Sequence, residues 1–402
     1  MRGITRLIMP CLLLAACITT SAQVDSVKVT SMVPDSADQR YKITVLAPLY
    51  LDSAFDASGN YRYDKAFPRF LTPGMEFYQG VQLAIDTLQK QGLDLDINIF
   101  DSRAARSTLK TIFEKPEFEG TDIIIGHVNM ADAQWLAQTA RNLDIPFVNV
   151  NFPNEAGVTD NPDYIMLNST LYTHCEGLYK FMQKNYALAP ITVFRKKGVQ
   201  EDRLNTYLRE IEKTTSSVPL KMKYVTLSDN FTPEELTKSL DAGKTNIVFA
   251  ASLDVNFATR LAQQLAPLNT TTHASILVGM PNWDAINFAP FKGLEVIYST
   301  PFYIAPSDSL AGRVTRSYIS DNYVRPGEMV FRGYETVYQV AHLLLEDDST
   351  PIQQRLAHDK YKLFYDYNIL PVLNKKTNKT DYYENKKLFF VKKMDGVIKA
   401  VY

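Results

Sequence analysis

From residue 41 onward the chain alternates short apolar runs with longer stretches in which apolar positions recur every three to four residues. Ile43 to Leu49 reads as a strand, and from Gly74 the residues Phe77, Val81, Ala84, Ile85 and Leu88 fall on one helical face. Leu95 to Phe100 is the next strand, followed by a short helical stretch ending near Phe113. Asp122 to Gly126 reads as a buried strand, Ala131 to Asn142 as a helix, and Ile145 to Val150 and Tyr164 to Leu167 as two further strands. Strands alternating with helices predict parallel sheet covered by helices.

A second series begins with a helix over Leu171 to Tyr186, whose apolar stripe carries Leu171, Cys175, Leu178, Tyr179 and Met182. Strands follow at Ile191 to Phe194, Lys221 to Leu227, Ile247 to Ala250, Ile276 to Gly279 and Leu294 to Ile297, with helices around Asp202 to Lys213, Pro233 to Leu240 and Asp254 to Leu265. Two more helical patterns, Leu310 to Tyr323 and Gly333 to Leu345, precede a strand pair, Leu388 to Lys393 and Val397 to Tyr402, turning at Asp395-Gly396. The fold class expected is α/β, with two doubly wound parallel-sheet lobes joined by hinge strands. Residues 41–168 form lobe 1, 169–300 lobe 2, 301–350 return to lobe 1, and 351–402 complete lobe 2. The hinges fall near Asn168-Ser169, near Ser299-Thr300-Pro301, and after Leu345.

The first residues carry a different pattern. Arg2 and Arg6 form a basic region, Leu7 to Ala16 is apolar, and small residues follow, as in a secretory signal peptide. The apolar run is well short of the ~20 residues that span a bilayer. Cleavage after Ala22 gives a leader of residues 1–22. The alternative, Leu14-Ala15-Ala16-Cys17, resembles a lipobox, with a leader of residues 1–16 and lipidation of Cys17. Residues 23–40 then form a tether. The chain is thereby expected in the periplasm or cell envelope, touching a membrane only through a lipid anchor. Cys175 is left as the one unmodified thiol, so the fold must hold without disulfides.

With 402 residues, 46% of them hydrophobic, the chain is long enough for two cores. A net charge of -1 offers no excess of Lys and Arg for a nucleic-acid partner. His127, His174, His273, His342 and His358 show no metal-ligand spacing, and the chain has no phosphate loop, Gly-x-Ser-x-Gly elbow or dinucleotide fingerprint. No metal, cofactor or enzymatic activity is implied.

The segments Ile43-Thr44-Val45-Leu46-Ala47-Pro48-Leu49, Glu76-Phe77-Tyr78-Gln79-Gly80, Asp122-Ile123-Ile124-Ile125-Gly126 and Ile145-Pro146-Phe147-Val148 resemble the type I periplasmic-binding family, which includes branched-chain amino-acid binding proteins and receptor ligand-binding regions. Tyr78-Gln79-Gly80 and Tyr382-Tyr383-Glu384-Asn385-Lys386 are similar to envelope members that sometimes carry LysM modules, although no LysM module is visible. The family commonly has Gly-Pro after its third strand, where this chain has Gly126-His127. The resemblance implies an exported solute-binding protein for uptake or sensing. Its partners would be a small ligand, such as an amino acid or related zwitterion, and an inner-membrane permease of an ABC transporter or an envelope protein. The alternative is an envelope lipoprotein that uses the same fold for protein–protein or cell-wall-related regulation.

In open α/β sheets ligands bind beyond the carboxyl ends of the strands. The candidate residues are therefore Tyr50, His127, Val128, Asn129, Asn149 and Asn151 from lobe 1, and Arg195, Ser252, Asp254 and Trp283 from lobe 2. Free amides of the Gly126 to Asn129 loop suit a carboxylate, with Asn129 either contacting ligand or capping its helix. Arg195 and Lys196 suit an anionic group and Asp254 an ammonium, or else they are solvated or serve as a cap. Trp283 closes over an apolar ligand part or packs between domains. The long connection from Asp52 to Pro73, with Phe55, Tyr61, Tyr63, Phe67 and Phe70, reads as a lid, a partner surface or a self-packed loop.

Overall fold

The computed structural model describes residues 40–105, 108–346, 349–357 and 359–401; the expected leader, Cys17 and nearly all of the tether lie outside them. Lobe 1 opens with β1 (Lys42–Ala47), a short α1 (Leu51–Ala54), α2 (Thr72–Lys90), β2 (Asp96–Asp101), α3 (Leu109–Phe113), β3 (Ile123–Gly126), α4 (Met130–Asn142), β4 (Phe147–Asn149) and β5 (Tyr164–Met166). Lobe 2 repeats the scheme with α5 (Leu171–Tyr186), β6 (Ile191–Arg195), α6 (Val199–Thr214), β7 (Met222–Thr226), α7 (Pro233–Thr237), β8 (Asn246–Ala250), α8 (Val255–Thr271), β9 (Ser275–Val278) and β10 (Glu295–Thr300). The chain then runs through α9 (Ser309–Asn322), α10 (Glu328–Leu344), α11 (Ile352–Arg355), β11 (Ile369–Leu373), β12 (Thr380–Asn385), β13 (Phe389–Met394) and β14 (Val397–Val401).

The two seven-stranded sheets have matching orders, β11-β12-β5-β4-β3-β1-β2 and β14-β13-β10-β9-β8-β6-β7. Within each, the five strands of the βα series pair in parallel. Residues of β1 serve two layers in turn: Ile43, Val45 and Ala47 join the core beneath α2 and α10, and Leu46 joins the one beneath α4. Strands covered on both faces need apolar residues at every position, which explains the continuous runs in the sequence.

The last fifty residues correct one expectation. Strands β11 and β12 join the first sheet, and only β13 and β14 join the second, so 351–402 does not complete lobe 2 as a unit. The physical reason is a third crossover: β12 pairs with β5, and the chain passes to the other lobe through residues 386–388.

All three crossovers lie at the carboxyl ends of parallel strands. The first leaves β5 after Met166, the second leaves β10 after Thr300, and the third leaves β12, whose Glu384 sits opposite Met166, to enter β13, whose Phe389 sits opposite Thr300. Connections this short oblige the two carboxyl edges to face one another. A buried network stitches the first and third crossovers together. One Glu384 oxygen accepts from the Thr170 amide at 2.7 Å and the Thr173 hydroxyl at 2.6 Å, and the other accepts from Lys386 Nζ at 2.5 Å. Ser169 donates to the Asn385 carbonyl at 2.6 Å, and Asn385 donates to the Leu167 carbonyl at 3.2 Å.

Helix α10 returns to lobe 1 and packs against α2 at a separation that only glycine permits. A Cβ on Gly80 would stand 2.0 Å from the Val330 carbonyl oxygen, and one on Gly333 would stand 2.4 Å from that of Phe77. The opposite side of α10 holds Glu335, buried, whose carboxylate accepts the Leu363 and Phe364 amides at 2.9 and 2.5 Å and so ties down the irregular segment leading to β11. Gly80→Ala should therefore lower stability by about 2 to 3 kcal/mol in urea unfolding, as overpacking of a rigid interface does. A loss below about 0.5 kcal/mol would show that the helices separate freely.

Candidate functional site

A 2-1-3-4-5 strand order reverses direction between its first and third strands, and the crevice outside that point is where such sheets bind ligands. In lobe 1 the switch point lies between β1 and β3, flanked by Tyr50 and by His127, Val128 and Asn129. In lobe 2 it lies between β6 and β8, flanked by Arg195 and by Ser252 and Asp254. Most of the candidate residues thus stand at the two switch points, on the edges that the crossovers hold face to face.

Lobe 1 satisfies much of its own cleft backbone. Asp101, at the end of β2, accepts from the amides of Leu49, Tyr50, Leu51 and Arg103 at 2.8 to 3.2 Å, holding Tyr50 at φ 55° at the start of α1. The Asn151 side chain brackets Val128, accepting from its amide at 2.7 Å and donating to its carbonyl at 2.8 Å. Asn149 is fully buried; it accepts from the Asn151 and Phe152 amides and donates to the Phe152 carbonyl and the Tyr164 hydroxyl. Asn129 caps α4 by accepting from the Asp132 amide at 3.0 Å. The amides expected to await a carboxylate at His127 and Val128 are occupied, by the Leu46 carbonyl and by Asn151 respectively.

Lobe 2 behaves alike. Asp254 caps α8, accepting from the Asn256 and Phe257 amides, and its other oxygen accepts from Lys196 at 2.6 Å. That bond to Lys196 is the main influence drawing the Asp254 carboxyl below its ordinary range. Ser252 is buried and donates to Glu201 at 2.6 Å, and Arg195 pairs with Asp202. Trp283 is corrected outright. Its ring is fully buried in the lobe 2 core against Phe288, on a Gly279 that leaves no room for a Cβ. It cannot close over a ligand or pack between domains, because the missing side chain at Gly279 opens a slot inside its own lobe.

At the lobe 1 switch point stands His127, which feels the charge of two arginines. The half-buried imidazole lies against Phe77, 5.9 Å between centroids, and its pKa is lowered to about 4 by burial, then by Arg332, with a further effect of Arg103. Among the described residues no other residue hydrogen-bonds the ring, and a neutral imidazole carries one acceptor nitrogen. Arg103 pairs with Asp132. Arg332, on α10, pairs with Glu328, donates to the Val150 carbonyl at 3.2 Å, and stacks its guanidinium 3.3 Å above the Phe302 ring of the second crossover. Sequence reasoning passed over both arginines. The available signals were Asp101-Ser102-Arg103 directly after a strand, and a lone arginine within Val330-Phe331-Arg332-Gly333-Tyr334.

The connection from Asp52 to Pro73 folds on itself. Phe55, Tyr61, Tyr63 and Phe70 form a chain of ring contacts 5.7 to 6.2 Å apart that ends on Tyr50 at 5.3 Å. Phe55, Phe67 and Phe70 nonetheless keep 40 to 53% of their surface exposed.

No family model and no curated protein matches the sequence. Solved structures that superpose on the chain include an ABC transporter substrate-binding protein from Desulfitobacterium hafniense, 13% identical, with a TM-score of 0.59 over 90% of this chain and all of that one. A branched-chain amino acid ABC transporter periplasmic ligand-binding protein from Burkholderia xenovorans is 13% identical, with a TM-score of 0.59 over 90% of this chain and 95% of that one. The C-domain of LpoA from Haemophilus influenzae, a regulator of PBP1A, is 14% identical, with a TM-score of 0.52 over 90% of this chain and all of that one. Likeness at this identity shows the architecture: the chain has the type I periplasmic-binding-protein fold. Among the described residues no helix is long and apolar enough to cross a membrane.

The depressed pKa of His127 makes a testable linkage. A folded-state value below the ordinary 6.5 means the unfolded chain binds the proton more readily, so stability present above pH 6.5 is lost as pH falls toward 4. Between pH 7 and 5 this group should remove about 2 kcal/mol from urea stability. In His127→Gln the loss over that interval should shrink by a comparable amount; an unchanged loss would place the imidazole in water.

Proposed function

We propose that this chain is an exported two-lobed binding protein that captures a small amino acid or hydroxy acid in the interlobe cleft, for uptake through a permease or for sensing. The observation that supports it best is the imidazole of His127 just past β3 at the switch point, with no side-chain hydrogen-bond partner among the described residues and with Arg332 and Arg103 near enough to lower its pKa. A carboxylate suits Arg103 and Arg332, whose forks have donors to spare beyond their present partners, and the ammonium or hydroxyl beside it suits His127. Asp254, committed to Lys196 and to its helix, is less suited to that ammonium than the sequence suggested. Closure of lobe 2 over the occupied edge would present a distinct state to a partner.

The second reading is a regulatory envelope protein with a cleft that takes no solute. It draws on the self-satisfied loop amides and on the exposed Phe55, Phe67 and Phe70, which offer apolar surface to another protein. Thermal unfolding with a panel of amino acids and hydroxy acids separates the two. Solute binding predicts that at least one member stabilises the protein, by about 2.7 kcal/mol at a hundredfold excess over Kd, and that His127→Ala abolishes the shift. No shift with any member, or a shift that survives His127→Ala, rejects the cleft assignment.

A further inference from the structure

A cavity lies outside the cleft, between α5, the third crossover and the strands β11, β13 and β14. Its volume is about 760 Å³, within the range of small-molecule sites. The lining is largely apolar: Phe181 stacks on Phe390 at 4.4 Å, and Leu370, Leu388 and Val401 join them. Gly177 lets Leu388 pack closely on α5, since a Cβ there would meet Leu388 at 2.5 Å. The rim is basic. Lys180 is paired with Glu176 and Lys386 with Glu384, but Lys184 and Lys387, both exposed, have no carboxylate partner among the described residues.

We propose that this groove is a second binding site, for a single-chain amphipathic anion such as a medium-chain carboxylate. Two ammonium groups without a carboxylate partner among the described residues, Lys387 lying 5.5 Å from the Phe389 ring, stand at the mouth of an apolar trough and match a ligand with one anionic head and an aliphatic body. Burial of the tail supplies the affinity, and the lysines choose the sign of the head. An extended peptide fits less well. The two edge strands beside the groove carry Pro371 and Lys399, residues that block strand addition. The walls come from both lobes, Leu370 from the first sheet and Phe181 and Phe390 from the second lobe, so an occupant would touch both sides of the hinge. The site shares no residue with the cleft and stands whether or not the cleft binds a solute.

Calorimetric titration of the full chain with sodium dodecanoate below its micellar concentration tests the assignment, with dodecyltrimethylammonium as the cationic control. One equivalent of dodecanoate should bind, more tightly than the cation. The surface double variant Lys184→Glu/Lys387→Glu should weaken it by about tenfold or more, and Leu370→Asp, on an exposed strand, should weaken both amphiphiles. Absence of dodecanoate binding up to about millimolar concentration, equal binding of the two amphiphiles, or dodecanoate binding indifferent to the charge reversals would each overturn the proposal.

Discussion

The carboxylate of Glu384 is buried where two of the three interlobe crossovers meet, and the geometry of the cleft follows from how it is satisfied. It accepts from Thr170 and Thr173 on one crossover and from Lys386 on another. A buried charge that loses a partner costs about 3 to 5 kcal/mol, so the two connections are held in one arrangement. The adjoining strands are thereby aligned, Met166 beside Glu384 and Thr300 beside Phe389, and the carboxyl edges of both sheets look at each other. Arg332 performs a related task at the second crossover, joining the β4 exit loop to the Phe302 ring.

With the edges so placed, the polar character of the cleft depends on what the loops keep for themselves. Asp101, Asn129, Asn149, Asn151 and Asp254 spend their hydrogen bonds on neighbouring backbone. Loops satisfied in this way are rigid before any ligand arrives, and little backbone is left to recognise one. Recognition of a solute there would fall to side chains, and the departure Gly126-His127 puts an imidazole at the switch point. Burial and two guanidinia keep that imidazole neutral.

Local pattern carried most of the architecture. Buried parallel strands read as unbroken apolar runs, and the α2 and α5 stripes followed the helical period, so the paired lobes and the positions of the switch-point loops were legible. The strands β11 and β12 were not. Leu370 and Leu373 are exposed on an edge, Pro371 interrupts the run, and Thr380 to Asn385 is largely polar because its end serves the hinge. Roles set by distant partners were also illegible. Nothing near Trp283 reveals that Gly279 makes room for it, and nothing near Arg332 reveals Val150 or Phe302. Two segments that carried the resemblance to envelope binding proteins prove structural: Gly80 is the contact of α2 with α10, and Glu384 to Lys386 is the hinge network.

The hinge is tested most directly by the distance between spin labels at Met130→Cys and Val199→Cys, exposed positions at the starts of α4 and α6, with the buried Cys175 left in place. A staple at Glu384 predicts one narrow interlobe distance in the otherwise native protein and a clearly broadened distribution in Glu384→Ala, with helix content unchanged. The same narrow distribution in both proteins would contradict it.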